Sequence, residues 1–600
     1  MRDSSGQEQR AFLAIVLAMG VLLLWNVFFP PPRAPQVARA PVAAQHADST
    51  AARAGSGERA ATAPSTAPGG ATEGAPAGAV ASGPAPAPGA LALPEGAAPP
   101  DTSVHIESER FHLTIASRGA RLVEVALPRY RDSQGNEVQL LPVPGAGALA
   151  TVAKTGAGAI ALDAQPFRLV SDVRDRGERR LTWELTARDL VLRKTYVIPD
   201  HGSLFHVEQE IEQDRVGVTA WGLSWAGGLR VTEDVRGRGA RGYFEGTVFA
   251  EGAVQRKTPT SAHKGPLEFP GRTRYVSVQS KYFLAAIVPE GDHQGPARLW
   301  EVESNHPGTT CLAGEILVDR AGELASNRAK YDVYVGPQDY AVLQSLGLGL
   351  EGAVDLGASW IRPLSRIILG LLIAVHHVVP NYGATIILFS FAINLLFFPL
   401  TYKSTKSMRQ MSALKPRLDA LKEKYKDDAQ KLSEATMRVY KEAGVNPLAG
   451  CLPLLLQMPI FFALYAVLFR TIELRQAPFL FWIRDLSQPD VIYQLPFSLP
   501  LIGSGICLLP IIMGVTSYLQ SKQTMVDPSQ QSMVIMMPIM MTFIFFSMPS
   551  GLVLYWLTSN VFTLGTKYLF KPETEGVDGA AAAEISNGGG KRALKAGAKS

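Results

Sequence analysis

At 600 residues the chain is too long for a single hydrophobic core, and its apolar share of 47% stays high although long polar stretches are averaged in. That combination points to a soluble part joined to a membrane part. The net charge of +5 is modest, so the positions of the charges say more than their sum, and three cysteines, Cys311, Cys451 and Cys507, exclude a disulfide framework.

Residues 11–29 are apolar and follow Arg10, a pattern that opens either a cleaved signal peptide or a retained anchor. The length favours the anchor, because the A-x-A-like site Ala38-Arg39-Ala40 lies well past the run and is followed by Pro41. A transmembrane anchor over 1–30 is expected, with a cytoplasmic start and the following segment exported. Residues 31–102 are Ala, Pro and Gly with scattered polar residues, unable to bury enough surface to offset the entropy of ordering, and read as a disordered linker.

From about Ser103 the pattern changes to short runs of alternating polarity at 111–115, 181–185, 191–198 and 204–211, with further runs at 275–279, 282–288 and 331–335. Period-two alternation between Gly- and Asp-containing turns predicts antiparallel strands, and together they predict a large β-sandwich over 103–340. It reads as a scaffold or partner-binding surface, since no carboxylate pair or histidine set in it points to catalysis. Trp360, Ile361, Leu364, Ile367, Ile368, Leu371, Leu372 and Val375 then recur at three- and four-residue steps, with Arg362, Ser365 and Arg366 on the other side. This predicts an amphipathic helix over 358–379 lying along the outer membrane surface. His376-His377 at its end lack a third ligand and read as polar tips at an interface.

Pro380 precedes a span at 383–400. The segment 401–450 carries Lys403, Lys406, Arg409, Lys415, Arg417, Lys422, Lys424, Lys426, Lys431, Arg438 and Lys441 against far fewer acids, which marks it as cytoplasmic. Met408, Met411, Leu414, Leu418 and Leu421 fall at helical spacing, Asp427-Asp428 breaks the run, and Leu432, Met437 and Tyr440 resume it, so a hairpin of two basic helices is expected. Further spans are expected at 452–469, 499–519, 533–548 and 552–569, near the roughly 20 residues that cross ~30 Å of hydrocarbon. With the anchor these make six spans. Pro549-Ser550-Gly551 leaves room only for a tight turn, and 570–600, with Lys591, Arg592, Lys595 and Lys599, reads as a disordered basic cytoplasmic tail.

This topology puts polar residues at one depth. Ser390 and Asn394, four apart, lie near the inner end of the second span, Gln457 near the inner end of the third, and Thr516, Ser517 and Gln520 close the fourth on the same side. Trp556, Ser559, Thr563 and Thr566 line one face of the sixth, while Phe461, Phe462, Tyr465, Phe543, Phe545 and Phe546 fill the outer half. The set predicts a hydrophilic cavity open to the cytoplasm and sealed outward by aromatic packing. A lone Ser or Thr in a span often only bonds its own helix, so the argument rests on the set.

The run Asn446-Pro447-Leu448-Ala449-Gly450-Cys451-Leu452-Pro453-Leu454-Leu455-Leu456-Gln457-Met458-Pro459, with Leu474-Arg475-Gln476-Ala477-Pro478-Phe479 and Pro549-Ser550-Gly551-Leu552-Val553-Leu554-Tyr555-Trp556, resembles the signature of the YidC family of membrane-protein insertases in its long Gram-negative form. The likeness is strongest over 351–570 and covers most of the chain. It implies a periplasmic β-supersandwich similar to sugar-binding folds on a polytopic helical core in the bacterial inner membrane. It also implies a groove, here Ser390, Asn394, Gln457, Thr516, Trp556, Ser559 and Thr563, that receives the polar end of an incoming protein while its apolar segment slides between groove and lipid. The implied partners are nascent membrane proteins, the Sec translocon, ribosome or targeting machinery, and membrane lipids, the cytoplasmic contacts falling to Arg409, Lys415, Arg417 and Lys422. Aligning Phe398-Pro399-Leu400-Thr401 with the family motif places Asn394 where bacterial members usually have an arginine, and an amide can hydrogen-bond but cannot attract an acidic segment by charge.

Leu448-Ala449-Gly450-Cys451 mimics a lipobox but lies deep in the chain, and Gly588-Gly589-Gly590-Lys591 lacks Walker spacing. No enzymatic step, cofactor, metal or nucleotide is expected. The rival reading, a secondary transporter for a small solute, calls for an internal repeat and a midplane site; no repeat is visible, and the polar residues are off-centre.

Overall fold

The computed structural model describes residues 101–569, apart from 143–144, 161, 234–242, 292–293, 307, 321–326, 427, 446–451, 500–502 and 525–530. The anchor over 1–30, nearly all of the linker and the tail over 570–600 lie outside the described residues, as do Cys451 and the side chain of Arg409.

The expected β-sandwich is present and fully antiparallel. Its larger sheet has nine strands in the spatial order Ala253–Lys257, Glu245–Ala250, Thr273–Gln279, Phe283–Pro289, Arg328–Pro337, Leu204–Asp214, Leu190–Pro199, Glu178–Thr186 and Arg168–Asp175. A six-stranded sheet, whose centre is Thr310–Asp319 and Val218–Trp225, faces it, and a four-stranded sheet over Ser103–Gln139 completes the layer. Alternation works as read: in Leu204–Asp214, Phe205, Val207 and Ile211 are buried and enter one core with Trp183, Tyr196, Trp221, Leu312 and Ile316 from both sheets. Gly222 marks where the two central strands of the six-stranded sheet crowd, since a Cβ there would sit 2.0 Å from the carbonyl oxygen of Ile316.

Among the described residues a short helix, Tyr340–Ser345, is followed by eight longer ones: α1 (Arg362–Val378), α2 (Tyr382–Ala413), α3 (Lys415–Lys424), α4 (Ala429–Glu442), α5 (Leu452–Arg470), α6 (Leu509–Thr524), α7 (Gln531–Phe545) and α8 (Ser550–Leu569). Among the described residues, one helical stretch, Tyr382–Met408, is long and apolar enough to cross a membrane, and Leu455–Arg470 and Val534–Phe545 are shorter apolar stretches. A second core runs from Tyr275, Leu284 and Tyr334 of the large sheet through Ile368 and Leu372 of α1 to Ile386, Leu464, Met513 and Leu552 of the helices.

Three expectations are corrected. The fourth span does not begin at residue 499: Val491–Leu499 and Gly503–Cys507 pair as a hairpin, and α6 starts at Leu509, with Pro510 in its first turn, where a missing N–H costs nothing. The first cytoplasmic helix is divided at Leu414, because Pro416 in the first turn of α3 removes a donor from any continuous helix. In α1, Ser365, assigned to the polar side, is fully buried and bonds the carbonyl of Ile361 at 3.4 Å, while Ile367, Leu371 and Val378 stay exposed.

Candidate functional site

Where α2 crosses α8, Asn394 sits one turn after Ser390, so both side chains leave the same face of α2. Asn394 Nδ2 donates to the Ser390 carbonyl at 2.7 Å and to Ser559 Oγ at 2.9 Å. Ser390, with no exposed surface, donates to the Tyr555 carbonyl at 3.2 Å and lies 3.1 Å from Ser559 Oγ. Gln457 of α5 donates its amide to the Tyr555 hydroxyl. Four of the sequence-derived residues, Ser390, Asn394, Gln457 and Ser559, are thus brought into one network by Tyr555, and the network carries no formal charge.

The remaining candidates fall elsewhere. Thr516 Oγ1 donates to the carbonyl of Met513 at 2.8 Å, but it also accepts from Asn560 Nδ2 at 3.2 Å, and Ser517 Oγ accepts from the same amide at 2.8 Å. Asn560 therefore clamps α8 to α6, while its neighbour Ser559 meets α2. Thr563 bonds the Ser559 carbonyl at 2.9 Å and Thr566 that of Thr563 at 3.0 Å, so both satisfy themselves on α8. Trp556 lies in aromatic rather than polar surroundings, its ring centroid 5.6 Å from that of Phe461 and 5.4 Å from that of Phe545. Phe543, by contrast, is exposed. Sequence reasoning passed over Asn560 and Tyr555; a near-buried amide in an apolar span was a signal in itself.

Of the hairpin cations, Lys415 and Arg417 belong to α3, none of whose residues is buried, and Lys422 pairs with Asp419 at 3.3 Å.

A second polar region, not anticipated, joins the sandwich to the loop after α5. Arg475 Nε meets Glu233 Oε1 at 2.7 Å, with both side chains nearly buried, and also donates to the Arg131 carbonyl at 2.6 Å. Arg470 bridges Glu245 at 3.0 Å and Asp355 at 3.1 Å. Lys281 donates to the Ser487 carbonyl at 3.2 Å and lies 4.3 Å from the Phe469 ring centre, and Tyr282 donates to Ser487 Oγ at 2.7 Å. Burial holds the Lys281 ammonium down to about 7, despite Asp485 and Glu233 nearby, and burial pushes the Glu473 carboxyl up to about 7.

His206, Glu290 and Asp332 on the large sheet form the one grouping among the described residues with the spacing of metal ligands. It is closed on itself: His206 Nδ1 is 2.7 Å from Asp332 Oδ1, and Lys330 Nζ is 3.0 Å from Glu290 Oε1.

A β-sandwich fused to an apolar helical region, with an uncharged polar layer between the helices, defines a membrane protein with a folded extramembrane domain. A family model for the 60Kd inner membrane protein matches residues 374–576, and one for the YidC periplasmic domain matches 103–371. The membrane protein insertase YidC of Pelodictyon phaeoclathratiforme is 33% identical over 499 residues, 79% of this chain and 83% of that one. The protein of the same name from Geotalea uraniireducens is 30% identical over 568 residues, 93% of this chain and 98% of its own. A crystal structure of active YidC insertase with the first transmembrane domain resolved aligns with 79% of this chain and 95% of its own, at 18% identity and a TM-score of 0.35. The chain belongs to the YidC family of membrane protein insertases. It is an inner-membrane protein, its sandwich is the periplasmic domain, and its clients are nascent membrane proteins.

Proposed function

We propose that this insertase lowers the cost of bringing a client's polar end into the inner leaflet by offering neutral hydrogen-bonding groups in a groove open to the cytoplasm and to lipid. The observation that carries the reading is the Asn394 amide, shared between Ser390 on its own helix and Ser559 on α8. Such a group can exchange its partner for a client's polar atom without leaving a bare charge in hydrocarbon. Transfer itself is then driven by burying the client's apolar surface, at ~25 cal/mol per Å².

The reading includes six spans, the anchor and five from 383–569, which makes the protein multi-pass, and it assigns the cytoplasmic hairpin over 401–450 to ribosome or targeting machinery. Work alone or beside the Sec translocon, with lipid flanking the groove, belongs to the same proposal. Short apolar α5 and α7 and the polar layer shared by α2, α5 and α8 support it.

The test is insertion of a single-span client, scored by protease protection in cells depleted of the native protein. Asn394→Leu is expected to lose most insertion, Asn394→Arg to retain it, and Ser390→Ala to fall only modestly. Full activity of Asn394→Leu overturns the neutral-groove mechanism at this position.

A further inference from the structure

The hairpin Val491–Leu499 and Gly503–Cys507 is a two-stranded sheet among the described residues, and it leaves large apolar side chains exposed on both faces. Successive strand residues point to opposite sides, and Val491, Ile492 and Tyr493 are 40%, 47% and 61% exposed, with Phe497 at 57%. An isolated two-stranded hairpin is marginal in water, and open apolar side chains on it add to the cost of leaving it there. Its unpaired backbone edges equally exclude the hydrocarbon centre. The remaining environment is the headgroup and upper acyl layer, where Tyr and Trp collect.

Its height is set by Asp490. The carboxylate accepts from the backbone N–H of Leu508 and Leu509 at 3.1 and 2.7 Å, at the start of α6, and from Trp482 Nε1 at 3.0 Å. One residue before Trp482, Phe481 is 90% exposed and held at φ 59°, a backbone region unfavourable for a bulky side chain, with its ring stacked 6.0 Å from Trp482. Beyond the tie, α6 also exposes the apolar side chains of Ile511, Ile512 and Val515.

We propose that the hairpin and the Leu480-Phe481-Trp482 turn seat in the outer leaflet as a lipid-bound collar around the outer end of α6. The proposal rests on the multi-span reading above, but not on the Asn394 groove, so either can fail alone. The test uses the full chain in vesicles of phosphatidylethanolamine and phosphatidylglycerol, with Cys311, Cys451 and Cys507 replaced by Ala and an environment-sensitive fluorophore placed at Tyr493→Cys, Phe497→Cys or, as control, the exposed sandwich site Val173→Cys. The hairpin probes are expected to show several-fold less quenching by iodide than the Val173 probe, and strong quenching by a nitroxide lipid labelled near the headgroup but not at the chain end. Iodide quenching equal to the control overturns the proposal, as does protection that disappears when protein is diluted into excess lipid, which would assign the surface to a second copy. A second measurement needs no substitution: a phospholipid with a photoreactive group near its headgroup is expected to label peptides covering 479–499 and not those around Val173, and failure to label 479–499 overturns the proposal equally.

Discussion

The polar layer between the helices is built from neutral amides and hydroxyls, whereas the junction between sandwich and helices is built from ionisable groups drawn out of water: Arg475 against Glu233, Arg470 against Glu245 and Asp355, and Lys281 among aromatic rings. The difference fits the role proposed for the groove. On the proposed mechanism the groove exchanges partners and has to open at little cost, and an uncharged group in a membrane forfeits little when its bond opens. A joint between a folded domain and its membrane base gains from the opposite property, because a buried pair broken on one side leaves a stranded charge.

The comparison predicts its largest effect at Arg475. Arg475→Met leaves Glu233 buried without its cation and is expected to cost about 3–5 kcal/mol, read as a lowered unfolding temperature of the full chain in detergent, and Glu233→Gln added to it is expected to recover much of the loss. An unchanged unfolding temperature in the single variant would mean that the junction does not hold the domain.

The pH response of the junction comes next. Between about 7 and the ordinary 10.5 of a lysine, the unfolded chain holds a proton on Lys281 that the folded chain lacks, so this group makes stability rise with pH across that window. Glu473 works the other way between 4.5 and about 7, where the folded chain keeps a proton that the unfolded chain releases, and stability falls as pH rises. Unfolding temperatures measured across these windows are expected to lose the rising limb in Lys281→Met and the falling limb in Glu473→Gln.

In the neutral layer, Asn560→Leu removes the amide shared by Thr516 and Ser517 and is expected to cost about 1 kcal/mol, in keeping with hydrogen bonds between membrane helices. A loss as large as that of Arg475→Met would erase the contrast between the two regions. The smallest effect on stability is expected from replacing Arg409, Lys415, Arg417 and Lys422 with Gln. Stability should hold, while binding of ribosomes or clients weakens and loses its dependence on ionic strength, since exposed charges are screened over about 8 Å at 0.15 M salt. Salt-independent binding in the unaltered protein would leave these charges only a topological role.

What the chain encodes locally was legible from its order of residues. Alternation in 204–211 marked a strand because a pleated backbone sends neighbours to opposite faces, and the uncharged run from Leu452 marked a helix that hydrocarbon tolerates. Ser390 and Asn394 could be paired because four residues make about one turn. Their partners could not be chosen that way. Trp556 and Ser559 share a helix face, yet one meets Phe461 and Phe545 and the other Asn394, because the packing of α5 and α7 on one side of α8 and α2 on the other divides that face between aromatic and polar neighbours. The same holds for Arg475 and Glu233, 242 positions apart in the chain: each alone reads as an ordinary surface charge, and only the docking of the sandwich on the helical region removes both from water. Periodicity is a property of one segment, whereas burial belongs to the surfaces that meet, and these are decided by the packing of the whole chain.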